Sequence, residues 1–216
     1  MTVGAALRSA LADTYRWSWR LLVLNTALTA AVAAVVILVS AFPLVLFVAP
    51  LVAGPIAAAL VHCIVTLIRE EAFELSDAVD GLRRFWKQGL ALGALSGLVL
   101  LLGVLAVSFY ASAEHRMLPL AALSAYVVAI VSLVLLVAWL LAIAEPEDGL
   151  KLALCRAWLL ALRAPLRLIT FGAALLVVNV LGAVTILPLL TLTIAYSFLA
   201  TARLVLPAPT LEEMSA

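Results

Sequence analysis

The chain has 216 residues, of which 67% are hydrophobic and 12% are charged, with a formal net charge of +1. An ordinary soluble domain carries about 25% charged residues, so this composition excludes a soluble globular protein and predicts an integral membrane protein. The near-zero net charge also argues against a nucleic-acid binder, because there is no basic excess to neutralise phosphates.

Charged residues divide the chain into uncharged stretches whose lengths can be compared with the thickness of a bilayer. One transmembrane helix needs about 20 residues. The stretch 21–68 is long enough for two crossings and has Pro43 and Pro50 near its middle, and Pro188 divides the stretch 168–202. We therefore predict an all-α, polytopic helical bundle over residues 1–206, followed by a short flexible tail at 207–216. Its six spans form three helical hairpins, at residues 21–42, 51–68, 88–111, 119–143, 168–184 and 187–203.

The distribution of basic residues orients this bundle. Six spans put twelve of the thirteen Lys and Arg residues on the side of the two termini and leave only Arg116 on the other side. Basic residues are retained on the cytoplasmic side during insertion, so both termini are predicted to be cytoplasmic in a cell membrane. All five tryptophans fall near the predicted inner boundary, where the indole ring contacts hydrocarbon and its N–H contacts water. They are Trp17, Trp19, Trp86, Trp139 and Trp158.

Two charged segments on the cytoplasmic side are predicted to be short amphipathic helices that lie along the membrane. In the segment 75–87, apolar residues recur at helical spacing on one face. In the later segment, Arg156, Arg163 and Arg167 form a basic stripe on an otherwise apolar helix. The charges of such helices rest in water or on anionic headgroups, and the alternative is a surface that docks a partner.

Small residues recur at every fourth position in two predicted spans. Gly54 and Ala58 do so in the second span, and Gly89, Gly93 and Gly97 do so in the third. Helices in lipid associate through close backbone approach over small side chains. These residues are therefore predicted to pack against another helix, within the chain or in a homo-oligomer.

His62 continues the small-residue stripe of the second span. An ionisable side chain inside a membrane indicates a functional site by default, and the alternative is a neutral histidine that is hydrogen-bonded between helices. Asn25 lies at a similar depth in the first span, and the two spans form a hairpin. We therefore predict that His62 faces the bundle and pairs with Asn25.

The pattern of reactive residues predicts no catalytic site, no metal site and no cofactor. The two cysteines, Cys63 and Cys155, are far apart and form no Cys-x-x-Cys pair. His115 follows Glu114, but adjacent helical positions point in different directions, and this pair is typical of a solvated outer loop. We predict that the chain is not an enzyme.

Three segments resemble the YesL-like family of bacterial integral membrane proteins. They are Gly-Pro-Ile-Ala-Ala-Ala-Leu at 54–60 with Arg-Glu-Glu at 69–71, Gly-Leu-Arg-Arg-Phe-Trp-Lys-Gln at 81–88, and Ala-Leu-Arg-Ala-Pro-Leu-Arg at 161–167. The family often has Arg-Asn-Pro in the third segment, so Ala164 is a departure. The resemblance implies a domain of unknown function, often encoded near carbohydrate uptake systems, with no established catalytic residues.

These observations leave three classes of function. The first is an accessory or regulatory component of carbohydrate uptake, with the lipid bilayer and other transport subunits as partners. The second is a transporter, or a permease subunit driven by a partner ATPase that docks on the segment 148–167. The third and least favoured class is a lipid-active enzyme embedded in the membrane, which would need a nucleophile with a base or a metal cluster.

Overall fold

The computed structural model describes residues 2–41, 49–112, 117–185 and 193–206. Within these residues the chain is all-helical, as predicted, and forms eight α-helices and one short 3-10 turn. The predicted turn at Pro43, the outer loop with Glu114, His115 and Arg116, the break at Pro188 and the tail lie outside the described residues. The helices are α1 Val3–Arg16, α2 Ser18–Ala41, α3 Ala49–Glu70, α4 Leu75–Ser112, α5 Leu118–Ala144, α6 Gly149–Arg163, α7 Pro165–Thr185 and α8 Ile194–Val205, with the 3-10 turn at Pro146–Asp148.

Four stretches within the described residues are long and apolar enough to cross a membrane. They are Val52–Glu70 in α3, Leu75–Ser112 in α4, Leu118–Ala144 in α5 and Pro165–Gly182 in α7. Helix α8 is also apolar but has only 12 residues. At 1.5 Å per residue it is about 18 Å long, whereas the hydrocarbon core of a bilayer is about 30 Å thick. The apolar helices agree with the membrane class that the composition predicts.

The buried core lies where α3, α5 and α8 contact one another. Residues 58–61, 137–144 and 197–202 are buried on every side of their helices. A helix at a protein surface buries only one stripe, so these three segments form the interior of the bundle. Each of the other five helices contacts at least one of the three.

Helix α4 has 38 residues and is continuous from the charged segment 75–87 into the predicted third span. Its start is fixed by Asp77, whose carboxylate accepts a hydrogen bond from the Glu74 backbone N–H at 2.7 Å, as in a helix capping box. Gly81 and Phe85 of this segment pack against α3, whereas Val79, Leu82 and Trp86, on the apolar face that the sequence predicts, are exposed. The prediction of a short, separate helix over 75–87 is therefore wrong, because the segment continues without a break into the third span. That its apolar face lies on the membrane surface stays a prediction.

Two arginines connect helix ends that are distant in sequence. The Arg20 guanidinium donates to the carbonyl of Phe73, in the turn between α3 and α4. Arg69, near the end of α3, donates to the carbonyl of Ala144 at 2.9 Å. A cationic side chain at the C-terminus of a helix bonds a carbonyl that has no partner within the helix. The start of α2, the end of α3 and the end of α5 therefore lie on one face of the bundle.

The N-terminal helix α1 packs alongside α8. The Tyr196 hydroxyl donates to the carbonyl of Leu7 at 3.3 Å, and Arg203 forms an ion pair with Asp13 at 2.7 Å. Since both contacts advance in the same direction along the two helices, α1 and α8 are parallel. Helix α1 is thus part of the packed bundle.

Candidate functional site

Helices α3 and α4 run antiparallel and approach closely over glycine. A Cβ atom built on Gly54 would collide with the carbonyl oxygen of Gly89 and lie 3.2 Å from the Cα of Gly93. A Cβ atom on Gly89 would lie 2.9 Å from the Gly54 carbonyl oxygen and 3.0 Å from the Cβ of Ala58. The structure therefore brings four of the five predicted packing residues into one seam. The fifth, Gly97, lies one turn further along and lines a cavity.

His62 packs against the same helix, nearer the turn. Its ring lies beside Phe85, with ring centroids 5.2 Å apart. A Cβ atom on Gly81 would lie 2.8 Å from the Cβ of His62, so the absence of a side chain there lets the imidazole fit. His62 is half-buried beside the first half of α4, which carries Asp77 and Arg84.

Asn25 is fully buried and binds a different helix. Its side-chain oxygen accepts a hydrogen bond from the backbone N–H of Ala195, in the first turn of α8, at 3.0 Å. The first N–H groups of a helix have no partner within it, so a polar side chain that supplies one stabilises the helix start. The predicted pairing of His62 with Asn25 is therefore wrong. The two spans do form contacts, but His62 turns toward α4 and Asn25 toward α8.

A second polar cluster joins α7 to α8, and the sequence analysis did not predict it. The Asn179 amide donates to the carbonyl of Leu175 at 2.8 Å and to the Ser197 hydroxyl at 3.0 Å. Along α8, the hydroxyls of Ser197 and Thr201 each donate to the carbonyl four residues earlier. The signal was available, since Asn25 and Asn179 are the two asparagines of the chain and both stand in apolar runs.

The three arginines of the predicted basic stripe have different surroundings in the structure. Arg156 forms ion pairs with Glu145 and Asp148, which precede α6. Arg163 and Arg167 are exposed on either side of the α6–α7 junction. Helix α6 packs on α5 through alanines at every fourth position, which are buried: Ala153, Ala157 and Ala161. Its opposite face is exposed and apolar.

A cavity of about 380 Å³ lies between α2, α3, α4, α5 and α8. Its wall is almost entirely apolar, with Leu28, Ala57, Leu136 and Phe198 among its residues. The few polar groups are Ser132 and a pair in which the Trp139 indole N–H donates to the Ser96 hydroxyl at 3.2 Å. Ligand sites in proteins are typically concave, mostly apolar and several hundred Å³ in volume. This cavity is the candidate binding site of the chain.

Within the described residues, no group of three or more His, Cys, Asp or Glu side chains could hold a metal ion. Cys63 is buried and Cys155 is exposed, and both are free thiols. Comparisons of the chain with protein-family models, curated proteins and solved structures gave no match. The resemblance to the YesL-like family therefore stays a prediction.

Proposed function

We propose that the chain is a six-span protein of the cell membrane with cytoplasmic termini, and that it is a non-enzymatic accessory or regulatory subunit of carbohydrate uptake. The topology is supported by the arginines at the helix ends. Arg20 bonds the turn that follows α3, and Arg69 bonds the end of α5. The segment from the start of α2 to the end of α5 starts and ends at one face of the bundle, so it has crossed the bundle an even number of times. This arrangement fits hairpins formed by α2 with α3 and by α4 with α5.

The observation that carries the accessory role is the use of polar groups inside the bundle. Asn25 binds the start of α8, Asn179 binds Ser197, and Trp139 binds Ser96. All of these groups are neutral and join one helix to another. A transporter coupled to protons normally carries several ionisable groups along its path. The polar interior is thus suited to holding helices together. The link to carbohydrate uptake rests on the resemblance to the YesL-like family alone.

Cysteine labelling in sealed cells tests the topology. In a background with Cys63→Ala and Cys155→Ser, we expect an impermeant maleimide to label Ser112→Cys from outside but not Ser76→Cys. The two positions lie near opposite ends of α4. Labelling of position 76 in intact cells would refute the orientation. A reporter enzyme fused just before Leu187 is expected to be external, which tests the last hairpin.

Transport assays test the role. Cells without this chain are expected to take up less of at least one carbohydrate, and the parent gene is expected to restore uptake. Purified chain alone in proteoliposomes is expected to give no uptake. Uptake by the chain alone would show that it is itself a transporter and would refute the accessory role.

A permease subunit driven by an ATPase is the second candidate, and the surface of α6 favours it. Trp158 and Leu162 are exposed on this helix, and Lys151 and Arg163 are also exposed. This surface is suited to docking another protein at the membrane. The candidate predicts that an ATPase co-purifies with the parent and is lost in Trp158→Glu, whereas Leu123→Glu, at an exposed position on α5, retains it.

A further inference from the structure

The cavity between α2, α3, α4, α5 and α8 lies at the depth of the hydrocarbon core. Ser132, in its wall, is close to the middle of the 27-residue α5, and Ala57 lies within the apolar stretch Val52–Glu70. The cavity is partly open at the surface of the bundle. In a chain embedded in a bilayer, the fluid at this opening is lipid hydrocarbon rather than water.

The wall of the cavity is unsuited to water. A buried water molecule needs two to four polar partners. The Trp139 N–H and the Ser96 hydroxyl are bonded to each other, which leaves Ser132 as the other hydroxyl in the wall. Most of the remaining wall is formed by apolar side chains and by the glycines 93 and 97. An occupant that makes only dispersion contacts is suited to this apolar wall.

The volume of the cavity is close to that of one lipid tail. An engineered apolar cavity of about 150 Å³ holds one benzene molecule with its six carbon atoms. By the same proportion, a cavity of about 380 Å³ accommodates on the order of fifteen carbon atoms. Small residues create the space, since Ala53, Ala57, Gly93 and Gly97 line the cavity where larger side chains would fill it.

We propose that this cavity binds one acyl chain of a bilayer phospholipid. The tail enters from the surrounding hydrocarbon and packs between Trp139 and the small residues of α3 and α4. The proposal rests on the embedding of α3, α4 and α5 in the membrane, and not on the role in carbohydrate uptake. Either can fail without the other.

Trp139 is a natural reporter, because it lines the cavity and is only 6% exposed. A variant that retains Trp139 as its one tryptophan is made by replacing Trp17, Trp19, Trp86 and Trp158 with Phe. It is reconstituted in vesicles of phosphatidylcholine with brominated or ordinary acyl chains, because bromine quenches indole fluorescence on contact. We expect the brominated chains to reduce Trp139 emission at least twofold.

A variant with a larger side chain in the cavity is compared with a variant that has the same substitution outside it. In the same background, Ser132→Phe is expected to remove most of the quenching, whereas Ala125→Phe, at an exposed position on α5 outside the cavity, leaves it unchanged. If Ser132→Phe does not fold, Ala53→Phe serves in its place. Native mass spectrometry is expected to show one retained phospholipid per parent chain and none for the filled variant.

Three results would overturn the proposal. The first is emission from Trp139 that brominated chains do not change. The second is equal quenching in Ser132→Phe and Ala125→Phe, which would show that the indole senses bulk lipid. The third is quenching that falls as the protein-to-lipid ratio rises, together with a dimer that Ser132→Phe dissociates. A second copy of the chain, and not a lipid tail, would then occupy the cavity.

Discussion

Substitution of Gly54 by alanine tests whether the seam between α3 and α4 holds the bundle together. The three atoms nearest to the added Cβ atom would all be backbone atoms of α4: the carbonyl oxygen of Gly89, its carbonyl carbon at 3.0 Å, and the Cα of Gly93 at 3.2 Å. Backbone atoms cannot rotate away as the end of a side chain can. The two helices therefore have to separate, and contacts along the whole seam weaken.

The expected loss combines two opposing effects. Overpacking in a close-packed interior typically destabilises by about 1–3 kcal/mol. Alanine is a better helix former than glycine by about 1 kcal/mol, which offsets part of this loss. Because the clash is with backbone, the upper part of the overpacking range, about 2–3 kcal/mol, applies here, and the net expectation is a loss of about 1–2 kcal/mol. For a chain of this size, about 1 kcal/mol lowers the melting temperature by roughly 2–4 °C.

Thermal unfolding in detergent, followed by circular dichroism, measures this effect. The matched control is Gly172→Ala on α7, where the new Cβ atom would lie 2.7 Å from the Cδ2 of Leu133, the flexible end of a side chain that can move. We expect Gly172→Ala to lose less than half as much as Gly54→Ala. The double variant Gly54→Ala with Gly89→Ala is expected to lose less than the sum, because the first substitution already opens the seam. A melting temperature for Gly54→Ala equal to or above that of the parent would refute the close approach.

Three further predictions use the same assay. Asn25→Ala leaves the Ala195 N–H without this acceptor in a buried site, so it is expected to lower the free energy of unfolding by about 1–3 kcal/mol. A loss of stability smaller than that of Asn179→Ala would contradict this prediction. The variants His62→Leu and Asn25→Leu are expected to show additive losses, because their side chains contact different helices, and coupling above about 0.5 kcal/mol would count against these contacts. Asp13→Arg and Arg203→Asp are each expected to destabilise by breaking the ion pair between α1 and α8, and the exchanged double variant is expected to recover most of the loss.

The all-α class and the four long apolar helices could be predicted from the spacing of charged residues. Apolar stretches of about 20 residues have few alternatives to a helix in lipid, because backbone groups find no partners outside the segment. The described helix bounds agree with the predicted spans to within a few residues where a proline or a capping residue marks the start, as at Pro165. Residues 75–87 could not be assigned in this way. Amphipathic periodicity identifies the apolar face with Val79, Leu82 and Trp86, which the structure leaves exposed, but it does not show that the helix continues into the third span or that Gly81 and Phe85 pack on α3.

The contacts of individual polar residues were decided by the tertiary structure. Asn25 and His62 lie at similar sequence distances from charged boundaries, and depth alone made them plausible partners. Depth does not specify the rotation of a helix about its axis, and this rotation turns Asn25 toward α8 and His62 toward Gly81.

The composition and the lengths of the apolar stretches determine by themselves that the chain is helical and suited to a membrane, because both depend on local properties of the residues. The cavity is decided only by tertiary structure. Its wall combines Leu28, Gly97, Ser132 and Phe198, which lie on four helices and have no pattern in common along the chain. An empty space between helices depends on how their axes cross and on which small side chains face one another, and neither can be derived from one helix alone.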